Sequence, residues 1–263
     1  MNFAQLTANH TELTVPIGNR SSALSLEIRE RPPEGTSVRP AAIRNLLSPR
    51  EQKELLQDAT AIVYRRGGDA LFYEGQDASF IYFIREGIIR TSRCAENGGR
   101  QILAFRVPGD FLGLSENGRY DHSAETVGPA KVYRIAWRCM QQIMLVDPEL
   151  QLHLLLKVAD DCRHAEQHIV TLGQQNTCQR LISFILDLRQ IPDCFDERRS
   201  LLRLPVNRND LADYIGTTTT SAERSFLKLE SENLIRRITP RTIEIIDIGG
   251  LQRLQCEQRR SHR

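Results

Sequence analysis

VNRNDLADYIGTTTTSAERSFLKLESENLI, residues 206–235, sets four threonines between two segments that each carry the marks of a helix. Threonine is a mediocre helix former because its branched side chain is stiff. At a helix start it is good, because its hydroxyl accepts from an unpaired backbone N–H. The run therefore reads as a joint. Before it, Asn207 caps a compact helix, Asp210 suits that helix's positive end, and Leu211, Tyr214 and Ile215 supply apolar contacts. Gly216 ends the helix, since glycine takes the left-handed conformation a sharp turn requires. Thr217 and Thr218 carry the chain round. Thr218 caps a second helix to about residue 232, with Ala222, Phe226, Leu227 and Leu229 available to a core. Two helices joined by a short turn with glycine make a helix-turn-helix; the alternative is a helical hairpin used for protein contacts.

In a helix-turn-helix the first residues of the second helix face the major groove of double-stranded DNA. On that reading Thr219, Thr220, Glu223 and Arg224 are the base-reading candidates. A threonine hydroxyl reaches a base edge or phosphate, its methyl touches a thymine methyl, and Arg224 forks onto guanine O6 and N7. Asn207, Arg208, Thr218, Ser221 and Arg241 are the candidates for phosphate contact or helix capping. Beyond the helix, LIRRITPRTIEIID (234–247) reads as strand, turn, strand. That is the wing of a winged helix, with Arg236, Arg237 and Arg241 near phosphates.

Upstream, LGQQNTCQRLISFILDLRQI (172–191) gives a helix with Leu181, Phe184, Ile185 and Leu188 on one face, and a short strand is expected over 201–204. A long helix is expected from Asp147, as its cap, to Leu172, with Pro148 in first position and Gly173 ending it. Leu155, Val158, Cys162, Ala165, Ile169 and Leu172 recur at the spacing of a coiled-coil seam, read here as an intermolecular one; the alternative is packing on the helix's own domain. Lys157, Asp160, Asp161, Arg163, His164 and Glu166 are expected on its exposed side.

Residues 61–135 hold short alternating runs, AIVYRR, ALFYEG, FIYFIREGIIRTSRC and QILAFRV, separated by turn residues. That pattern predicts a small all-β barrel or roll. LSPREQKELLQ (47–57) begins a short helix at Ser48 and Pro49, and residues 1–45, polar and proline-bearing, read as a flexible arm. The division is an arm at 1–45, a β-roll at 46–146, a dimerisation helix at 147–172, a winged helix-turn-helix at 173–255 and a tail at 256–263. The fold class is α+β.

Composition fits a soluble chain, 40% hydrophobic over 263 residues. No apolar run reaches the roughly 18–20 residues of a membrane span, and the N-terminus lacks the order of a signal peptide, so a cytoplasmic protein with no membrane contact is expected. The net charge of +2 hides a segment after Asn176 with three more basic than acidic groups. The six cysteines are scattered with no C-x-x-C pair, which points to reduced structural thiols. Cys162, on the seam, and Cys178 are the candidates for a redox role. Asp161, His164 and His168 share a helix face at metal-ligand spacing, but a solvated polar face accounts for them and no metal is expected. No paired carboxylates, nucleophile elbow, phosphate-binding glycine loop or H-E-x-x-H run is present, so neither catalysis nor a cofactor is expected.

The order of these elements over about residues 50–255 resembles the Crp/Fnr family of bacterial transcription regulators. GDALFYEGQDASFIYFIREGIIR and GRQILAFRVPGDFLGL resemble its cyclic-nucleotide-binding fold. NTCQRLISFILDL and the opening stretch resemble its DNA-binding domain. The resemblance implies a homodimer on a two-fold symmetric site and contact with RNA polymerase. Members that bind cyclic AMP carry Gly-Glu and Arg-Ser pairs; here Gly113 precedes Leu114, and His122 precedes Ser123. A neutral histidine replaces the charged fork for the phosphate, so tight cyclic-nucleotide binding is not expected. The iron–sulfur members use an N-terminal cysteine cluster, and residues 1–93 contain no cysteine. What remains resembles the FixK-like branch, which implies an activator in a low-oxygen or nitrogen-fixation circuit. The alternative is a regulator whose roll binds a small effector or whose thiols sense redox state. Where Fnr and FixK members carry Glu-x-x-Ser-Arg, this chain has Thr220, Glu223 and Arg224. Glu223 then either reads a cytosine, or repels phosphate and pins Arg224.

Overall fold

The run FIYFI at 80–84 is apolar without a break because its strand is covered on both faces. A computed structural model describes residues 59–94, 98–115, 117–191 and 194–256; the expected arm, the short helix at Ser48 and residues 257–263 lie outside them. Strands β1 (Thr60–Tyr64), β2 (Ala70–Phe72), β3 (Phe80–Glu86), β4 (Ile89–Cys94), β5 (Arg100–Arg106), β6 (Phe111–Leu112), β7 (Ser123–Thr126) and β8 (Ala130–Ala136) form two antiparallel sheets. Their orders are β1-β8-β3-β6 and β2-β7-β4-β5. Along β3 the period-2 alternation of side chains divides the strand between two cores. Ile81 and Phe83 join Phe111, Ile135, Met140, Leu150 and Leu154 on the helical side. Tyr82 and Ile84 join Phe72, Ile89, Leu112, Tyr120 and Val132 between the sheets. This is the expected β-roll.

Helix α1 (Trp137–Val146) follows the roll, and it was not legible in the sequence: Ala136 makes no side-chain cap and the first turn has no acidic residue. Helix α2 (Pro148–Gln174) starts as expected, with Asp147 Oδ1 accepting from the Leu150 N–H at 3.0 Å. It does not stop at Gly173. A glycine in an exposed helix costs only about 1 kcal/mol relative to alanine. The helix ends instead before Asn176, which with Gln179 forms a reciprocal capping box for helix α3 (Thr177–Arg189).

The polar side of α2 is also placed differently from the sequence expectation. Lys157 and Asp160 are buried, not exposed. Lys157 Nζ lies 2.9 Å from Asp110 Oδ1 and 3.2 Å from Asp161 Oδ1, and Arg106 Nη1 lies 2.6 Å from Asp161. The roll thus presents Arg106 and Asp110 to the helix and takes its charged face, leaving the apolar stripe outward. Leu155 (66% exposed) and Ile169 (67%) face solvent with Val158, Cys162 and Ala165; Leu172 is half-buried. Asp161, His164 and His168 do not converge: His164 Nδ1 donates to the Asp160 carbonyl and His168 stacks on Tyr214. Among the described residues no cluster of metal-ligating side chains occurs, and no helix is long and apolar enough to cross a membrane.

The C-terminal part contains β9 (Phe195–Asp196), β10 (Leu201–Arg203), α4 (Arg208–Tyr214), α5 (Thr219–Ser231), β11 (Ile235–Thr239), β12 (Thr242–Ile245) and α6 (Ile248–Cys256). The strands form one sheet, β11-β12-β10-β9, so the expected wing hairpin is anchored by the short strand at Leu201. Leu181, Ile185, Leu202, Leu211, Ile215, Phe226 and Leu229 fill the core.

Candidate nucleic-acid interface

The joint is built as its residues dictate. Asn207 Oδ1 accepts from the Asp210 N–H at 2.8 Å and caps α4. The Ile215 N–H closes that helix on the Leu211 carbonyl, and Gly216 follows at φ +63°, a left-handed value where a side chain would be strained. Thr218 Oγ1 accepts from the Ser221 N–H at 3.2 Å, capping α5, and Ala222, Phe226 and Leu229 face the core. Arg180 on α3 holds the turn from beneath: its Nη1 donates to the carbonyls of Ile215 and Gly216, each at 3.1 Å. Nothing in the sequence marked Arg180, because the turn carbonyls it holds lie thirty-five and thirty-six residues away.

The candidate base readers separate into two groups. Thr219, Thr220 and Arg224 are exposed, and Arg224 makes no ion pair among the described residues. Glu223 differs. It is not paired with Arg224; its Oε1 lies 2.9 Å from Arg208 Nε and its Oε2 accepts from Arg237 Nη1 at 2.7 Å. Leu227 is not in the core. It is 55% exposed, three residues beyond Arg224 and so on the same helical face.

Of the phosphate and capping candidates, Asn207 and Thr218 cap, and Ser221 supplies the capped N–H. The Thr218 hydroxyl also donates to Ser221 Oγ at 3.0 Å. Arg208 is engaged internally, by Glu223 and by lying 4.1 Å over the Phe226 ring; burial lowers its pKa, while Glu223 opposes that shift. Arg237 is likewise held, donating through Nε to Glu230 Oε2 at 2.8 Å as well as to Glu223. That hydrogen bond lowers the Glu230 pKa. Arg236 makes a 3.3 Å surface pair with Glu244, and Arg241 at the wing tip is exposed.

Helix α4 is also tied to the roll, which no sequence pattern announced. Asp210 is 1% exposed. It accepts from Arg90 Nη1 on β4 and from Arg100 Nη2 on β5, each at 2.7 Å. Arg100 continues to Asp213, and Arg90 to Glu125 on β7 at 2.9 Å. Beside this cluster Tyr214 lies against Phe105 and Phe184, with its ring 4.3 Å from that of His168.

The two candidate thiols differ in setting. Cys162 is exposed on the outer stripe of α2, whereas burial raises the pKa of Cys178 and disfavours its thiolate. At the position where cyclic-nucleotide binders carry arginine, His122 is mostly buried. Burial, then the Arg106 charge, pushes its pKa down, so the ring is neutral. Arg106 itself is paired with Asp161. Between the sheets Phe72 stacks on Tyr120 at 3.9 Å, and the Tyr120 hydroxyl donates to the Phe80 carbonyl at 2.8 Å. These residues do not fit a cyclic phosphate.

Comparison with known proteins agrees with the geometry. Residues 179–254 match the Crp-like helix-turn-helix domain, and residues 62–147 match the cyclic nucleotide-binding domain. The chain is 30% identical over 196 residues to the nitrogen fixation regulation protein FixK of Azorhizobium caulinodans, covering 74% of this chain and 79% of that one. It is 29% identical to the transcriptional activatory protein AadR of Rhodopseudomonas palustris, covering 80% and 87%. Among solved structures, FixK2 from Bradyrhizobium japonicum matches with a TM-score of 0.68 at 26% identity, over 74% of this chain and 96% of that one.

Proposed function

The chain belongs to the Crp/Fnr family of transcription regulators, in its FixK-like branch, and we propose that it acts as a cytoplasmic homodimer that reads a palindromic DNA site and activates transcription through RNA polymerase. The reading rests on one observation above all: α5 is capped by Thr218 and seated by Phe226, while Thr219, Thr220 and Arg224 stand exposed along its first turns. That is the arrangement by which a recognition helix enters a major groove. The outward apolar stripe of α2 supports a dimer, since burying a Leu or Ile side chain contributes about 1.5–3 kcal/mol. The names of the relatives support a low-oxygen or nitrogen-fixation circuit. The neutral His122 supports operation without a cyclic nucleotide. The reading involves no catalytic step.

Selection of binding sites from random duplex DNA, with reduced protein and no added nucleotide, tests the proposal. The expected result is a palindrome whose half-sites lie about 10 bp apart. Failure to enrich any sequence would overturn the reading as an effector-free DNA regulator.

A further inference from the structure

We infer that Glu223 is a positioning residue for recognition, not a base reader: it withholds Arg208 from the DNA backbone and locks α4, α5 and the wing into one unit. This inference rests on the DNA-binding reading above and concerns what one side chain does within it. Glu223 sits on the recognition helix, one residue before Arg224, where a free carboxylate would reach a cytosine N4 or repel a phosphate. It is not free. Its two oxygens are divided between Arg208 of α4 at 2.9 Å and Arg237 of β11 at 2.7 Å. Arg237 is bound again by Glu230, one helical row along, and both guanidiniums lie near the Phe226 ring, at 4.1 and 5.9 Å. The ring is fully buried, so the arginines are fixed by core packing as well as by charge.

The arrangement has a cost and a gain for a DNA-binding surface. Arg208, at the first position of α4, is a cation where a phosphate would pass, and engaging it with Glu223 removes charge that binds any sequence equally. Holding the helix angle and the wing together makes the spacing of Thr219, Thr220 and Arg224 rigid, and discrimination depends on that spacing. Glu223 therefore trades non-specific affinity for selectivity.

The test compares wild type with Glu223→Gln, Arg208→Gln and the double variant, using the full chain, the selected duplex and a random duplex across a salt series. Freeing Arg208 in both protomers of Glu223→Gln should steepen the dependence of log K on log salt by about 2, since each phosphate neutralised adds about 0.9. The ratio of specific to random binding should fall, with the selected bases unchanged. Arg208→Gln alone should leave the slope as in wild type, and adding it to Glu223→Gln should restore that slope. Two results would overturn the inference: a base column that changes identity in Glu223→Gln, or a slope that flattens in Arg208→Gln alone. Arg208→Gln keeps the question answerable if Glu223→Gln fails to fold. Should wild type itself select no sequence, the DNA-binding reading fails first; should wild type select a palindrome, the variants judge Glu223 by itself.

Discussion

Arg90 on β4 donates through Nη1 to Oδ2 of Asp210 on α4 at 2.7 Å, so the first helix of the helix-turn-helix is bound to a strand of the β-roll 120 residues earlier. Arg100 meets the other oxygen of the same carboxylate. With Asp210 almost wholly buried, these are charge-assisted bonds in a medium that screens them little. Removing the carboxylate leaves two guanidiniums facing each other with reduced compensation. Asp210→Ala should cost about 3–5 kcal/mol, the usual penalty for breaking a buried ion pair from one side. Urea unfolding followed by tryptophan fluorescence and circular dichroism measures it. A loss below about 1 kcal/mol, the size of a surface pair, would mean that the cluster is wetter than its burial implies.

The apolar stripe on α2 makes a prediction about assembly. Leu155→Glu together with Ile169→Glu places charge at two of its most exposed apolar positions, and should give a monomer by analytical ultracentrifugation with sharply weaker DNA binding. The roll should keep its fold, because neither side chain is part of the chain's own core.

Cys162 lies on the same stripe and is exposed. If two copies meet along it in parallel, mild oxidation should produce a covalent dimer on non-reducing gels, and Cys162→Ser should abolish the band. Cys178→Ser should not, since burial keeps that thiol protonated. A dimer band that survives Cys162→Ser would place the contact elsewhere.

Arg224→Ala should weaken binding to the selected duplex by about 1–3 kcal/mol and relax the preference at one base pair in each half-site. Electrophoretic mobility shifts on matched and mismatched duplexes read both effects. Equal loss on every sequence would assign Arg224 to a phosphate instead of a base.

Two histidines set an acid limit on stability. Burial lowers the pKa of His168 and of His122; for His168 a hydrogen bond to the Tyr214 backbone opposes the shift and Arg180 adds to it. In the unfolded chain both rings return to about 6.5. As pH falls below that value the unfolded state takes up protons first, so stability is full above pH 6.5 or so. It is lost as pH falls through the lowered folded values. Melting temperature should therefore drop as pH falls below about 6.5, and His168→Gln should make that drop shallower, whatever it does to stability at neutral pH.

Much of the interface was legible because it is encoded locally. Asn207, Gly216 and Thr218 act within four residues of their own positions, through caps and a left-handed turn, and each does what its residue type predicts. Leu227 was misread for a related reason. A helix of thirteen residues has apolar side chains on more than its core face, and the spacing alone does not say which of Phe226 and Leu227 the core will take. The pairing of Glu223 with Arg208 and Arg237 spans fourteen or fifteen residues and joins three elements, so no spacing rule reaches it.

By itself the sequence determined the order and kind of the elements: a roll of short alternating strands, a long capped helix with an apolar seam, and a winged helix-turn-helix. Hydrophobic period, caps and turn residues are properties of neighbours along the chain. Only the tertiary structure decided which face of α2 the roll would take, and that Asp210, in the first turn of α4 as expected, would also meet Arg90 and Arg100. It alone also decided that Glu223 would turn inward to two arginines. Those outcomes depend on which charges meet once burial has removed water from between them, and that choice is made among residues far apart in the chain.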